Sequence, residues 1–471
     1  MKDKYDVIVM GAGPAGCASA TRCAQLGLKT LCIDTVQISQ GQPSGVGTYA
    51  NSGSLARVTL LESAKLFDSL ITESRAHGII VDTVDIDVQK MVQRKDTILT
   101  EITQSIAKVF KQHKVDFIQA QAKLLDGKRV LVTSDIDIHN KTIAAEHIVL
   151  ATDSVPIAIA CVPIDNEYIL DSSAALNLTE IPKRLAILGA GVLGLELAGI
   201  WNRLGAETIL LEAQDTFLDL ADHQISREAY KVFTQQGLEL KLGTRVISTK
   251  ISSKKVLVEY QDNDGHHAIR VDKLIIASGR KPNSDNLAAP EANLLLDENG
   301  FVHVNENLRT NLPGVYAIGD LTILGPMLSH KGMAEGVFVA EKIASIQSLP
   351  INYNIIPNVI YTEPEIAWVG KTEQALKAIR DKVTVGVYHL NGNSRAKSAH
   401  KTNGFVKVIA CAKTDIILGV HIIGSHASEL IAEAALAMEF SASQEDLART
   451  IHAYPSFSES LREASMAAKM K

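Results

Sequence analysis

The sequence predicts an α/β protein with two Rossmann-like dinucleotide-binding domains and an α+β C-terminal domain. Three observations carry this. Residues 5–34 read strand, glycine-rich turn, helix, strand. Residues 184–212 repeat the reading. After Leu349-Pro350 the texture changes to strands around a turn, then an Ala-rich helix. Paired strand–turn–helix units imply parallel sheets.

The first unit runs Val7-Ile8-Val9-Met10, then Gly11-Ala12-Gly13-Pro14-Ala15-Gly16, then a strand ending at Asp34. Residues 88–113 carry helical periodicity with many charges, and Asp126-Gly127-Lys128 reads as a turn between short strands. The second unit runs Leu185-Ala186-Ile187-Leu188, then Gly189-Ala190-Gly191-Val192-Leu193-Gly194, then a strand leading to Glu212. In the last part, 405–410 and 416–423 read as strands around Lys413-Thr414-Asp415, followed by a helix near 427–442. The expected domain bounds are 1–150, 151–278, 279–348 and 349–471.

A chain of 471 residues holds more than one domain. A net charge of -6 argues against nucleic acid as a partner. No run of apolar residues is long enough for a membrane span. The N-terminus leads directly into a strand, so a cytoplasmic location without a signal peptide is expected. The five cysteines, Cys17, Cys23, Cys32, Cys161 and Cys411, follow no metal or Cys-x-x-Cys spacing. They read as small buried hydrophobes, and no metal site is expected.

Glycine suits such turns because the backbone must approach a pyrophosphate closely, and the helix that follows offers its positive end to that anion. An acid at the end of the next strand accepts hydrogen bonds from a ribose. Gly11, Gly13, Pro14, Ala15, Gly16 and Asp34 thus form one candidate site, and Gly189, Gly191, Gly194 and Glu212 a second. Glu212 repels a 2′-phosphate, and Ala213 and Gln214 supply no cation, which favours NAD(H) over NADP(H). Two sites in one chain suggest FAD at the first and a nicotinamide at the second. Asp320, after Ala317-Ile318-Gly319, suits the ribityl and pyrophosphate region of FAD. Pro326-Met327-Leu328-Ser329-His330 opens a helix whose N-terminus favours negative charge on a flavin ring.

These stretches resemble dihydrolipoamide dehydrogenase, in the FAD- and NAD-dependent disulfide reductase family, over essentially the whole chain. Further matches are Leu170-Asp171-Ser172-Ser173-Ala174-Ala175-Leu176, Ala277-Ser278-Gly279-Arg280-Lys281-Pro282-Asn283, Val359-Ile360-Tyr361-Thr362-Glu363-Pro364-Glu365 and Gly419-Val420-His421-Ile422-Ile423-Gly424. The resemblance implies that 1–150 is the FAD-binding domain, 151–278 the NAD-binding domain, 279–348 a central domain completing the FAD site and 349–471 the interface and dimerisation domain. It implies a homodimer whose active sites borrow a C-terminal segment from the partner subunit. It also places Thr152, Gly279, Gly319, Met327, Leu328 and His330 among the cofactor contacts.

The departures fall at the chemistry. In Gly47-Thr48-Tyr49-Ala50-Asn51-Ser52-Gly53-Ser54, Tyr49 and Ser54 stand at the family's two redox cysteines. The family's lysine position is Val58, with Arg57 before it as a nearby cation, while Glu196 matches the lysine's acidic partner. The family's His–Glu acid–base pair maps to Tyr454 and Glu459. A phenol ionises near pH ~10 and an imidazole near ~6.5, so Tyr454 is no substitute base. His452 reads as structural. Asp153 replaces a glycine. The expectation is an enzyme that oxidises NADH through FAD and passes electrons to a non-disulfide acceptor: a quinone, a dye, dioxygen or a nicotinamide. The alternative is a non-catalytic dimer that binds a lipoyl-carrying protein. A third reading, lipoamide reduction by an unseen thiol, requires a cysteine near Tyr49.

Overall fold

The structure, a computed structural model, describes residues 4–35, 53–133 and 140–468. The chain divides into two compact units. The first combines residues 1–56, 93–157 and 280–353; the second combines 57–92, 158–279 and 354–471.

The first unit is built on a seven-stranded sheet. Strands Asp116–Gln119, Thr30–Asp34, Lys4–Met10 and Lys141–Leu150 lie side by side in parallel, and Val315–Ala317 adds a further parallel strand against Lys141–Leu150. The hairpin Gln121–Asp126/Arg129–Thr133 extends it, turning at the expected Gly127. The sheet is covered on both faces, so Lys4–Met10 reads as a near-continuous apolar run. Val7 and Val9 pack with Ala20, Cys23 and Phe338, while Ile8 and Met10 face Leu31, Leu124 and Ile148.

Helix Pro14–Gln25 starts at the glycine turn with Pro14 in its first turn, where a missing N–H costs nothing. It lies hard against helix Ser329–Ile343. A Cβ on Gly336 would stand 2.5 Å from Ala15 O, so only glycine permits this approach.

The second unit repeats the arrangement. Strands Glu239–Lys241, Glu207–Leu211, Arg184–Leu188, Lys273–Ile276 and Ile169–Leu170 form a parallel five-stranded sheet. Helix Val192–Arg203 follows its glycine turn. A three-stranded antiparallel sheet, residues 245–271, packs Val256, Val258 and Val271 into the same core.

The C-terminal part of this unit is an antiparallel five-stranded sheet. Strands Phe405–Cys411 and Ile417–Gly424 lie at its centre, with helices Ala427–Glu439 and Glu459–Ala467 over Val406, Val420 and Ile422. The Ala-rich helix thus falls where its small residues predict. Its small side chains let it sit close to the sheet. The fold is α/β with a C-terminal α+β domain, as the sequence implies.

Candidate active site

Each glycine turn is held by the acid at the end of the neighbouring strand. Asp34 Oδ2 accepts the Ala12 N–H at 2.8 Å. Glu212 Oε2 accepts the Ala190 N–H at 2.7 Å, and its Oε1 accepts the Gln214 N–H at 2.9 Å. The bonds at Ala12 and Ala190 are equivalent in the two separate sheets.

The glycines divide by function. Gly11 has φ +108°, and a Cβ there would lie 2.1 Å from Ala151 O. A Cβ on Gly16 would lie 1.9 Å from Gly11 O. In the second turn, Gly189 (φ +105°) would meet Ala277 O at 2.5 Å, and Gly194 would meet Gly189 O at 1.9 Å. These four are needed by the fold itself. Gly191 has nothing within 4 Å of its would-be Cβ, and Gly13 only Asp153 Oδ2 at 3.7 Å. Gly191 is exposed and turns bare backbone outward, while Gly13 is buried with only the Asp153 carboxylate near its would-be Cβ; a pyrophosphate requires such uncrowded backbone.

Around the first turn the structure adds residues to which the sequence reading gave no role. Thr152 Oγ1 donates to Asn283 O at 2.8 Å, and Asn283 Nδ2 returns a bond to Thr152 O at 3.1 Å. The Ser154 hydroxyl donates to Asp320 Oδ2 at 2.5 Å and accepts Arg280 Nε at 2.7 Å. A second guanidinium nitrogen of Arg280 bonds Ser154 O. Glu335, fully buried, accepts the Gly319 N–H at 2.6 Å and the Tyr353 hydroxyl at 2.9 Å. Lys331 Nζ donates to Gly319 O at 2.7 Å and pairs with Glu335 at 3.3 Å. Both polar ends of Gly319 are thereby fixed, which sets where Asp320 emerges.

Met327 and Leu328 precede helix Ser329–Ile343 and are half-buried; His330, in its first turn, is exposed. Gly279 has φ +124°, just after the strand that backs the second turn.

The positions expected to carry chemistry are more scattered. Tyr49 lies outside the described residues. Ser54 is the second residue of helix Gly53–Thr72. Arg57, one turn on, pairs through Nε with Glu196 Oε2 at 2.6 Å. No hydrogen bond joins Tyr454 to Glu459: the Tyr454 hydroxyl reaches Ser394 Oγ at 3.3 Å, and Glu459 Oε2 accepts the Ser456 N–H at 3.0 Å. His452 has both ring nitrogens engaged, with Thr450 O at 2.9 Å and Glu433 Oε1 at 2.7 Å. Neither is open to a substrate proton, in keeping with a structural histidine.

All five cysteines are free thiols. Cys17 Sγ lies 3.2 Å from Ala12 O, and Cys32 Sγ 3.7 Å from Gly11 O, beneath the first turn. Burial pushes both thiols well above their ordinary range, and Cys23 up to about 12. Among the described residues no cluster suited to a metal ion is found, and no helix is long and apolar enough to cross a membrane.

The family profile described as pyridine nucleotide-disulphide oxidoreductase matches residues 5–336, and the corresponding dimerisation-domain profile matches residues 356–465. The chain belongs to this family. It is an FAD-dependent NAD(H) oxidoreductase of the dihydrolipoyl dehydrogenase-like kind. It is 42% identical over 470 residues to the dihydrolipoyl dehydrogenase of Cupriavidus necator, covering 99% of this chain and 98% of that protein. The mitochondrial dihydrolipoyl dehydrogenase of Schizosaccharomyces pombe is 38% identical, over 99% and 90% of the two chains. Leghemoglobin reductase of Vigna unguiculata is 37% identical, over 99% and 88%. Among solved structures, LpdA from Mycobacterium tuberculosis superposes with a TM-score of 0.89 at 24% identity, covering 99% of each chain, which shows the shared fold.

Proposed function

We propose that this family member oxidises NADH through FAD and delivers the electrons to an acceptor that is not a disulfide, such as a quinone, a dye, dioxygen or a second nicotinamide. The observation that carries the reading is the whereabouts of sulfur. The resemblance puts Tyr49 and Ser54 at the two redox-cysteine positions, and neither a phenol nor an alcohol exchanges a disulfide. Cys17 and Cys32, which lie in the same unit as the first turn, sit under its backbone rather than over it. Both are buried and held as thiols.

The residues of the two turns fit the two dinucleotides. At the first, the side-chain-free backbone at Gly13, the start of helix Pro14–Gln25 and the fixed Asp320 suit FAD, with Asp34 and Thr152 bracing the turn. At the second, Gly191 is open, and each Glu212 oxygen keeps a lone pair for a ribose hydroxyl while its charge disfavours a 2′-phosphate. When bound, FAD supplies two-electron acceptance from NADH. The protein's own residues position both dinucleotides, and Arg57 keeps Glu196 charge-compensated.

Match to the dimerisation profile supports a homodimer. A cavity of about 560 Å³ lined by Arg449, His452, Glu459 and Arg462, with exposed Ile451 and Tyr454 nearby, lies on the domain so matched.

Anaerobic addition of NADH to the purified protein should bleach the long-wavelength flavin band, and one of a panel of quinones and dyes should restore it. A band unchanged by NADH removes the enzyme reading. A second reading, a non-catalytic binding component for a lipoyl-carrying protein, draws on relatives named dihydrolipoyl dehydrogenase that match over nearly their full length. Capture of a lipoyl domain with no NADH turnover would favour it.

A further inference from the structure

We propose that the Asp153 carboxylate competes with the cofactor's pyrophosphate at the Gly11–Gly16 turn, so that FAD is held more tightly when Asp153 is neutral than when it is ionised. The inference rests on the reading that FAD binds at this turn.

The geometry begins with the backbone. Asp153 has φ +65°, a left-handed conformation that costs most side-chain-bearing residues energy and that Asp and Asn enter more readily than others. Asn283 imposes it here: its N–H donates to Asp153 O at 2.9 Å, beside the two bonds it shares with Thr152. The side chain is then anchored on one oxygen. Oδ1 accepts the Ser154 N–H at 2.8 Å, with the Ser154 hydroxyl at 3.5 Å. Oδ2 lies beside Gly13, 3.7 Å from where a Cβ would stand, and the carboxyl also shares a hydrogen bond with the Asp320 side chain.

Gly13 is the N-cap of helix Pro14–Gln25 and offers no capping side chain. The first N–H groups of a helix attract an anion. Asp153 therefore brings a negative charge of the protein's own to the place where the turn would receive a phosphate.

The charges facing this region come from several of the described elements. Asp320 belongs to the short turn Gly319–Leu321, Arg280 to strand Arg280–Pro282, and Asp34 to strand Thr30–Asp34. Lys331 and Glu335 come from helix Ser329–Ile343. With Asp153 itself, two cations stand against four carboxylates among the described residues before any phosphate arrives. Burial, and then repulsion from Asp320, push Asp153 above the ordinary carboxylate range, with Arg280 pulling it down. When protonated the group is neutral and tolerates the phosphates; when ionised it repels them. A bound anion favours the protonated form, and by linkage the proton favours the bound anion.

The test is dissociation of FAD from the full-length holoprotein on dilution, read by the fluorescence of released flavin between pH 5.5 and pH 8. One linked proton weakens FAD binding by at most ~10-fold per pH unit above the Asp153 transition. The wild type should lose affinity across this window. Asp153→Asn, which removes the charge and tolerates the left-handed backbone, should be nearly flat and at least ~10-fold tighter at pH 8. Asp153→Gly, which also relieves the backbone, should behave the same way and guards against a folding defect in the first variant. A flat wild-type profile, or variants that parallel a sloping one, would overturn the inference. Protein that retains no FAD at any pH, with or without Asp153, would overturn the FAD reading and this inference with it.

Discussion

Arg57 Nε lies 2.6 Å from Glu196 Oε2, and Glu196 Oε1 accepts the Tyr361 N–H at 3.1 Å. Helix Gly53–Thr72 and helix Val192–Arg203 are thereby tied through a carboxylate whose side chain is 2% exposed. An acid so buried needs a cation, and Arg57 supplies it.

Removing one partner leaves the other charge unpaired. Arg57→Met is expected to destabilise the protein by about 3 kcal/mol, and Arg57→Met with Glu196→Met to recover most of the loss. Denaturant midpoints of the three proteins check this. Equal midpoints for the wild type and Arg57→Met would show that the pair contributes nothing.

The glycines give a paired prediction. Gly16→Ala and Gly194→Ala force a Cβ to within 1.9 Å of a carbonyl oxygen and should lower the melting temperature by several degrees or prevent folding. Gly191→Ala meets no atom within 4 Å, so the fold should survive while the Kd for NADH rises ~10-fold or more. Melting curves and NADH titration separate the two classes.

The turns themselves were legible in the sequence because they are local. Strand, glycines, helix and acid lie within one short stretch, and Asp34 and Glu212 do reach back to Ala12 and Ala190. The Ala-rich helix was legible for the same reason. What the sequence concealed depends on distant segments meeting. Ser154 and Asp320 are 166 positions apart. Arg57 and Glu196, 139 apart, were brought together only through the resemblance, and the bond itself is seen in the structure. Lys331 and Glu335 left one available clue: two charges four residues apart on a helix otherwise rich in Gly, Ala, Val and Phe. Spacing of that kind marks an inward-facing ion pair when the rest of the helix face is apolar. Likewise, Tyr454 and Glu459 stand near each other in sequence, but the intervening Pro455 and Ser456 send their polar atoms to different partners.

A further prediction concerns acid stability. His421 is fully buried, and Nδ1 has no hydrogen-bond partner among the described residues. Burial pulls its imidazole down to about 4, with the nearby Asp222 opposing. The unfolded chain takes up this proton near pH ~6.5 and the folded chain only near 4, so the contribution is complete above ~6.5 and is lost as pH falls toward 4. Asp222 adds to the loss at lower pH. Its burial favours the neutral acid, but Lys407 at 2.8 Å and the Gln224 N–H outweigh that and hold it below the ordinary carboxylate range. Stability should therefore decline steadily from pH ~6.5 downward, and His421→Phe should flatten the upper part of that slope by up to about one proton. Denaturant midpoints at several pH values report the slope, and an unchanged slope in the variant would contradict the assignment.

The central claim, that electrons leave without a thiol relay, is tested most directly by counting thiols. Protein denatured anaerobically before and after reduction with excess NADH is titrated with a thiol reagent. The account predicts five thiols in both samples, one for each cysteine in the chain. A count that rises by two on reduction would mean that a redox disulfide exists, and would contradict it.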